Sequence, residues 1–482
     1  MKRGTFIGID FGTTNTSVVC VISDEHGTKT MYLGEAGEYP FSSIVAIPKN
    51  EGNMLFGRDV KRRRLELSDN YTIITSMKSW LGTDKEFIVD HKRYSPIKIT
   101  TAFFSHVKNY IKEHYNISIK DATLAFPVDF TPEARTALKL AAMAAGINVK
   151  GFISESTAAY IANKNDAKAY SKVMVVDWGG GTLDICILDL NGTRIYENSV
   201  YGDKIGGDDI DIELAHRIHS KLVSQTGIKL NYDDMTLAEK DIIISQCESA
   251  KIEFSDYDDA DILLRNYGKF GTKTVSLDYD YFEDVVSPII KNKVLKTINI
   301  AMERSKTSKA GIDAVIIVGG SCGLRPFANA MTNIFGNDKI IVPEKVQWSV
   351  AIGAAFIDII GSEYYLNDDV GVLLSDNTIY PIFKKHRDKI GSVIAPITFS
   401  LTEDTFDAHF IFTNGDNSIN YGSTDVYTKG FLKESLQLSA SIDNDQIAKI
   451  KITNSYMGNE YIEKIEINKL KFYYDLSEIK DI

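Results

Sequence analysis

The chain has 482 residues, of which 44% are hydrophobic and 25% are charged, and its formal net charge is −11. This length and hydrophobic content can fill the cores of two or three domains. The negative charge argues against nucleic acid as the main partner, because a polyanion binds basic surfaces.

The N-terminal segment, residues 5–22, predicts a strand, a turn rich in glycine and threonine, and a second strand, with Asp10 at the end of the first strand. Residues 173–190 repeat this plan, with Asp177 in the corresponding place. This internal echo predicts two related structural units.

Helices are predicted between and after these two segments. The basic run at residues 61–64 is interpreted as the solvated face of a helix rather than a binding patch. A longer helix should begin with Thr131 as N-cap and Pro132 in the first position, and should end at Gly146. A further helix is predicted over residues 237–253.

The pattern of strands and helices continues to about residue 362. Residues 312–318 predict a buried strand, residues 319–321 a glycine turn, and residues 326–335 a helix. Strands that alternate with helices favour an α/β architecture.

The last part of the chain has short alternating apolar runs, such as Phe410 and Phe412, and a hairpin-like turn at residues 414–417. These features predict an antiparallel β domain with one buried face and no helix after its last strand. The boundary is expected between Ser362 and Asp369.

The cysteines are far apart in the sequence and form no CxxC pair, so we expect buried free thiols and a reducing, cytoplasmic location. The apolar run at the N-terminus is broken by Asp10, and no run of about 18 apolar residues occurs. We therefore expect neither a signal peptide nor a membrane span. The cysteines are Cys20, Cys186, Cys247 and Cys322.

Two glycine turns suggest a site for a nucleotide. Backbone N–H groups of the glycine turns at residues 12–14 and 179–182 can approach phosphate oxygens because no Cβ intervenes. Asp10 and Asp177 precede these turns and could hold Mg²⁺ through its waters. One such turn alone is more typical of a simple hairpin, but two matched turns with matched acids favour phosphate binding. A P-loop signature is absent from the sequence.

These segments resemble those of the seventy-kilodalton heat-shock (Hsp70) chaperone family. Residues 8–16, GIDFGTTNT, resemble the first phosphate segment of the family, and residues 177–184, DWGGGTLD, resemble the second. Residues 318–321, VGGS, resemble the adenosine segment. The resemblance covers about residues 4–360. Further matching segments are residues 153–159, 202–209 and 251–255.

The resemblance implies an α/β, actin-like ATPase fold of two duplicated lobes around a nucleotide cleft at residues 1–362. A linker at residues 363–369 and a small antiparallel β-sandwich at residues 370–482, without a helical lid, would follow. The implied function is ATP-dependent chaperoning, in which Mg²⁺-ATP hydrolysis is coupled to binding of unfolded peptide or one dedicated protein partner. A J-domain co-chaperone and a nucleotide exchange factor are possible partners; nucleic acid and membranes are not expected.

The resemblance also assigns roles to single residues. Lys78 would reach the γ-phosphate, Glu155 would orient the attacking water, and Thr182 would contact phosphate oxygens. Asp10 and Asp177 would organise Mg²⁺. The implied ATP contacts are Gly12, Thr13, Thr14, Asn15, Gly179, Gly180, Gly181, Thr182, Gly206, Gly207, Glu248, Lys251, Ser255, Gly319, Gly320, Ser321 and Arg325.

Pro127 and Arg135 match the pair that links nucleotide state to the second domain in the family. Without the resemblance, Pro127 could equally end a strand, and Arg135 and Lys78 would be ordinary surface residues. The counterpart of the family's adenine-side arginine is either Gly323 or Arg325. Other functions stay open: an ATP-binding sensor or scaffold with little hydrolysis, a small-molecule kinase of the same fold, or an actin-like filament protein.

Overall fold

A computed structural model of the chain describes residues 2–37, 39–128, 130–167, 170–361, 363–430, 434–456 and 459–476. In this range two similar α/β lobes are followed by a part made of strands. None of the described helices has both the length and the apolar character to cross a bilayer.

The first lobe is an α/β unit built around a mixed sheet. Its helices are α1 (Gly57–Arg62), α2 (Arg64–Leu67), α3 (Pro96–Tyr115), α4 (Pro132–Ala144), α5 (Glu155–Ala162) and α6 (Lys164–Ala167). Its strands are β1 (Gly4–Phe11), β2 (Asn15–Asp24), β3 (Gly27–Tyr32), β4 (Phe41–Ser42), β5 (Val45–Pro48), β6 (Leu55–Phe56), β7 (Tyr71–Ile74), β8 (Phe87–Val89), β9 (Lys92–Tyr94), β10 (Asp121–Phe126) and β11 (Asn148–Ser154).

The second lobe follows the same plan with longer helices. These are α7 (Gly207–Thr226), α8 (Leu237–Glu253), α9 (Tyr279–Ile289), α10 (Leu295–Arg304) and α11 (Arg325–Phe335). A further helix, α12 (Ser349–Ile360), follows them in the chain and packs on the sheet of the first lobe. The strands are β12 (Lys172–Trp178), β13 (Leu183–Asn191), β14 (Arg194–Asp203), β15 (Asp259–Leu264), β16 (Lys273–Asp278), β17 (Ala314–Val318) and β18 (Ile340–Ile341).

The two main sheets share one topology. In the first lobe the order is β11-β10-β1-β2-β3, and β1 runs parallel to β10 but antiparallel to β2. In the second lobe the order begins β18-β17-β12-β13-β14, and β12 runs parallel to β17 but antiparallel to β13. The predicted pair of related units is therefore confirmed, with Asp10 and Asp177 near the ends of corresponding strands.

Helix α12 packs closely against both β1 and α5. A Cβ atom on Gly8 of β1 would lie 2.0 Å from the carbonyl oxygen of Ala351, and one on Gly353 would lie 1.8 Å from that of Ala158. Only glycine allows backbones to approach so closely. This packing fixes β1, which carries Asp10, relative to α5, which begins at Glu155.

The C-terminal part contains two four-stranded antiparallel sheets, ordered β21-β20-β23-β24 and β22-β25-β26-β27. Phe410 and Phe412 are buried, as the alternating pattern predicts, and residues 414–419 connect β23 to β24. The described residues after α12 contain no helix. The strands are β19 (Tyr365–Leu366), β20 (Val370–Leu373), β21 (Ile379–Phe383), β22 (Val393–Ser400), β23 (Asp407–Thr413), β24 (Asn420–Tyr427), β25 (Ser435–Ile442), β26 (Ala448–Tyr456), β27 (Asn459–Ile467) and β28 (Phe472–Asp475).

The last described strand returns to the second lobe. Strand β28 pairs with the edge strand β14, and β19 pairs with β28, so the sheet of the second lobe has seven strands. The predicted linker at residues 363–369 thus contributes a strand to this sheet. The proposed domain limits remain a prediction, and Ser362 and residues 477–482 lie outside the described residues.

Local predictions agree closely with the elements observed. The helix with Thr131 as N-cap is α4, in which the Thr131 hydroxyl accepts a hydrogen bond from the Ala134 N–H at 3.2 Å. The helix predicted over residues 237–253 is α8. All four cysteines are buried and free.

Candidate functional site

A cavity of about 300 Å³ lies between the two lobes. Both strand-end aspartates line it, and so do residues from the glycine turns of both lobes. The predicted site residues that line the cavity are Asp10, Gly12, Thr13, Thr14, Asn15, Lys78, Glu155, Asp177, Gly179, Gly180, Thr182, Gly207, Glu248, Lys251, Ser255, Gly319, Gly320 and Ser321.

Two predicted glycines, Gly181 and Gly206, are not among the residues that line the cavity. A Cβ atom on Gly206 would lie 2.1 Å from the carbonyl oxygen of Gly180, and one on Gly181 would lie 2.9 Å from Thr13 Oγ1. These glycines therefore allow neighbouring segments to pack against the turns, and their contact with a phosphate group stays a prediction.

The alternatives for the adenine-side residue, Gly323 and Arg325, do not line the cavity either. Arg325 donates hydrogen bonds to the Phe254 carbonyl at 2.9 Å and to the Asp258 carboxylate at 2.7 Å. Its guanidinium lies 3.7 Å from the centre of the Tyr279 ring. These partners hold the side chain against the segment after α8, and an ATP contact at Arg325 stays a prediction.

Four charged side chains lie together at the buried end of the cavity. Lys78 Nζ and Glu155 Oε1 are 2.6 Å apart, and these residues are only 4% and 5% exposed. Lys78 is thus not the surface lysine of the alternative interpretation. Burial is the larger cause and the charge of Glu155 the smaller one that raise the pKa of Asp10 to about 7. Burial, followed by the charge of Glu155, also raises the pKa of Asp177 well above its ordinary value.

The charge of Lys78 does not balance this cluster. Burial acts to lower the pKa of Lys78, but the charges of Glu155 and Asp10 outweigh it and the pKa is raised. Three carboxyl groups, of which Glu155 and Asp177 are buried and Asp10 is half-buried, therefore share one ammonium group. A proton or a bound cation must supply the remaining positive charge.

The site fits Mg²⁺ together with a phosphate ligand. Mg²⁺ keeps several of its waters and binds through one or two carboxylates plus phosphate oxygens. Asp10 and Asp177 can offer such carboxylates, and a divalent cation would favour their ionised forms. Across the described residues, no group of three or more His, Cys, Asp or Glu side chains is arranged to hold a metal by itself.

The two glycine turns meet at the cavity. A Cβ atom on Gly180 would lie 2.0 Å from Thr14 Oγ1, so the turn of the second lobe touches the turn of the first. The start of α7 braces this contact, since Gly207 N–H donates to the Gly179 carbonyl at 3.1 Å. Ser321 Oγ donates to the same carbonyl at 2.7 Å. The backbone around a phosphate group would therefore be fixed before a ligand arrives.

Two predicted adenosine contacts on α8 are also engaged in ion pairs. Lys251 Nζ lies 2.6 Å from the Asp211 carboxylate and donates to the Gly207 carbonyl at 3.0 Å. Glu248 pairs with Lys61 of the first lobe at 2.8 Å. Both residues line the cavity, but the structure uses their charges to join α8 to α7 and to α1.

The interpretation of residues 61–64 as a solvated helix face is wrong for Lys61 and Arg64, whereas Arg62 and Arg63 are exposed. Arg64 is only 7% exposed and pairs with Asp241 of α8. Lys61 pairs with Glu248 of the same helix. Asp241 and Glu248 are seven residues apart and lie on one face of α8. This acidic spacing is the sequence signal that could have identified a clamp between the lobes.

Sequence reasoning also missed Asp184 and Phe130 near the charged cluster. Asp184 accepts a hydrogen bond from Val128 N–H at 2.7 Å and helps to raise the pKa of Lys78. The centre of the Phe130 ring lies 5.6 Å from Lys78 Nζ. These contacts tie the chain after β10 to the cluster, with Pro127 at the start of that segment.

Arg135 reaches from the first lobe into the C-terminal part. Its guanidinium donates to the carbonyl oxygens of Asp445 at 2.7 Å and Asn468 at 3.3 Å, and it lies over the Phe126 ring. Burial lowers its pKa to about 10. Pro127 follows β10 directly, and its carbonyl accepts a hydrogen bond from Phe130 N–H at 3.1 Å. Arg135, a buried residue, is thus placed at the junction of the two parts.

Comparison with known proteins accounts for this architecture. Residues 6–382 match a family model described as Hsp70 protein. The chain belongs to the Hsp70 family. A similar curated protein, the chaperone protein DnaK of Thermosipho melanesiensis (strain DSM 12029 / CIP 104789 / BI429), is 31% identical over 365 residues, which are 74% of this chain and 60% of that protein.

The chain thus matches 60% of the length of this curated relative. Hsp70 proteins are ATP-binding chaperones with actin-like ATPase lobes and a β-sandwich. The duplicated lobes and the C-terminal sheets of this chain agree with that family fold.

The raised pKa of Asp10 predicts an unusual pH dependence of stability. Asp10 is protonated in the folded protein up to a pKa of about 7, whereas in the unfolded chain it ionises near pH 4. Unfolding between these values releases a proton, so stability should fall as pH rises, by on the order of 1 kcal/mol per pH unit.

The measurement is urea unfolding at about pH 5, 6, 7 and 8 without nucleotide or Mg²⁺. Asp10→Asn carries no titrating group at this position, so its free energy of unfolding should fall less steeply than that of the wild type. Parallel curves for the two proteins would contradict the assignment.

The clamp between the lobes predicts control of ligand release. Lys61→Ala removes the pair with Glu248 and should speed release of a fluorescent adenine nucleotide about threefold, because a partly exposed pair contributes less than about 1 kcal/mol. The effect should shrink at high salt. Arg63→Ala is the matched control, since Arg63 pairs with Glu66 of its own lobe. Equal release rates in both variants would refute the clamp.

Proposed function

We propose that this Hsp70 family member is an ATP-dependent molecular chaperone. Mg²⁺-ATP would bind and be hydrolysed between the lobes, and the C-terminal sheets would bind unfolded peptide or one dedicated protein partner. The observation that carries this proposal is the Lys78–Glu155 pair, which shares one glycine-lined cavity with Asp10 and Asp177.

Hydrolysis would depend on charge and position. The Lys78 ammonium is held by a single carboxylate at 2.6 Å, and a γ-phosphate would compete with Glu155 for it. Glu155 would then be free to orient the attacking water. Phosphoryl transfer is catalysed mostly by such positioning and charge stabilisation. Thr13 and Thr182 line the same cavity and would contact phosphate oxygens.

Coupling to the C-terminal part is supported by contacts with both lobes. Arg135 and Lys139 of the first lobe bind the loop at Asp445, where the Lys139–Asp445 pair is 2.7 Å long. Strand β28 pairs with β14 of the second lobe. Since the cavity lies between the lobes, a change in their spacing must strain one of these attachments. Through that strain, nucleotide bound between the lobes would change the affinity of the C-terminal sheets for peptide.

The expected partners remain part of the proposal. Unfolded peptide, a J-domain co-chaperone and a nucleotide exchange factor are partners that the family resemblance implies, and the cytoplasm is the proposed location. A sensor without hydrolysis, a small-molecule kinase and a filament protein are alternatives. The Lys78–Glu155 pair favours hydrolysis over mere sensing.

Removal of Lys78 should separate hydrolysis from binding. Lys78→Ala should slow ATP turnover about a hundredfold, because it removes the charge that would stabilise the transferring phosphate. ATP affinity, measured by calorimetry, should change little.

Because alanine leaves Glu155 buried without its partner, Lys78→Gln, which can still donate a hydrogen bond, is measured alongside. Lys85→Ala, at an exposed lysine of the same lobe, is the control. Unchanged turnover in Lys78→Ala and Lys78→Gln would remove Lys78 from the mechanism.

Peptide stimulation tests the proposed coupling in the full chain. An unfolded peptide should raise ATP turnover about fivefold, within the usual range of coupling free energies. Lys139→Glu or Asp445→Lys should each reduce the stimulation, because each breaks the pair between lobe and β part. The double variant restores opposite charges and should regain part of it. Lys112→Glu, at an exposed lysine on α3, is the control.

Other outcomes would redirect the proposal. Turnover that ignores peptide but rises with a sugar or another acceptor would indicate a small-molecule kinase. Tight ATP binding without turnover would indicate a sensor, and ATP-dependent sedimentation would indicate a filament. If peptide stimulates ATP turnover in the double charge-reversed variant no more than in the single variants, the Lys139–Asp445 contact is not the coupling route.

A further inference from the structure

A buried glutamate on β14 joins the C-terminal strand to the helix that carries Glu155. Glu197 is 2% exposed, although it lies on a strand whose neighbouring inward positions are Ile195 and Ser199. A carboxylate is costly to bury unless hydrogen bonds satisfy it. The reason for an acid at this position must therefore lie in its partners.

One group of partners is the first turn of α5. Ser154 Oγ donates to Glu197 Oε1 at 3.2 Å, and Thr157 Oγ1 donates to the same oxygen at 2.5 Å. Ser154 is also the N-cap of α5, since its hydroxyl accepts from Thr157 N–H. The next residue, Glu155, points into the cavity. Glu197 thus holds the end of the helix from which Glu155 emerges.

The other group of partners belongs to β28. Phe472 N–H donates to Glu197 Oε2 at 2.8 Å, and the Tyr474 hydroxyl donates to Oε1 at 3.2 Å. The last residue pair in the hydrogen-bonded ladder between β14 and β28 is Tyr196–Tyr473. One residue further along, the Glu197 carboxylate accepts the hydrogen bond from the Phe472 N–H group of β28. Glu197 therefore continues the attachment of β28 through its side chain.

The two groups of donors share one carboxylate, and Oε1 accepts from both α5 and β28. All four donors are uncharged, and burial raises the pKa of Glu197 even though these hydrogen bonds act to lower it. Detachment of β28 would remove two of the donors from a buried charge. The carboxylate would then move or take up water or a proton, and its bonds to Ser154 and Thr157 would change with it.

We propose that Glu197 is a positioning residue for Glu155, and that the docking of β28 sets this position. The C-terminal part would control hydrolysis through its own last strand, which acts as a latch on the second lobe. The test of this inference by ATP turnover rests on the proposed hydrolysis, whereas its test by hydrogen exchange requires only the folded chain.

Two conservative substitutions remove one donor from each side. Thr157→Val removes a donor of α5, and Tyr474→Phe removes a donor of β28. Each should lower kcat for ATP about fivefold, since small displacements of a catalytic group are expensive, while KM changes less than about twofold. The double variant should be no worse than about the stronger single variant, because both substitutions act on one carboxylate.

Hydrogen exchange of the β28 amides is the second measurement. Thr157→Val, although Thr157 lies on α5 and not on β28, should speed exchange at Phe472 about as much as Tyr474→Phe does. Tyr473→Phe is the matched control, because Tyr473 is on the same strand and stacks on Tyr196 with ring centres 4.8 Å apart. It should leave both kcat and exchange unchanged.

The two arms distinguish failure of this inference from failure of the proposed function. If the wild type hydrolyses ATP but the two substitutions have additive effects on kcat, or exchange in β28 ignores Thr157→Val, the latch is refuted. If the wild type has no ATP turnover, the hydrolysis proposal fails, and unchanged β28 exchange in Thr157→Val would refute the latch independently. Increased exchange in Thr157→Val would support the link from α5 to β28.

Discussion

The surplus of buried negative charge between the lobes is the constraint on which the rest of the structure depends. Asp10, Asp177 and Glu155 share a single ammonium group, that of Lys78, at the wall of the cavity between the lobes. Such an arrangement is stable only with added positive charge. The glycine turns beside it would offer N–H groups to the proposed triphosphate, and a ligand that carried Mg²⁺ there would meet a backbone that is already in place.

The contacts that hold the cleft differ at its two ends. At the mouth, side chains of α1 and α2 meet α8 through ion pairs such as Lys61–Glu248. At the base, the C-terminal part binds both lobes through buried hydrogen bonds of Arg135 and Glu197. Partly exposed ion pairs are weak and sensitive to salt, whereas buried networks are satisfied together or not at all.

Local signals in the sequence were sufficient for most elements and for the strand-end aspartates and glycine turns of the cavity, whereas Lys78 and Glu155 were predicted only from the family resemblance. Caps, periodicity and glycine turns placed α4, α8 and the two related hairpins, because these features depend on neighbours in the chain. Contacts between distant segments were not predictable in this way. The pairing of Arg64 with Asp241, the orientation of Arg325 and the return of β28 to β14 depend on tertiary packing, which local patterns do not encode.

Glu197 shows how a local irregularity can point to a distant partner. A strand with buried Ile195 and Ser199 on either side would be expected to carry an apolar residue at position 197. An acid there requires donors from outside the strand, and the structure supplies them from α5 and from a segment 275 residues further along the chain. Since an unpaired buried carboxylate is unfavourable, the fold of the second lobe and the docking of the C-terminal strand are energetically linked. Hydrolysis chemistry at Glu155 would be connected to the C-terminal part by the same link.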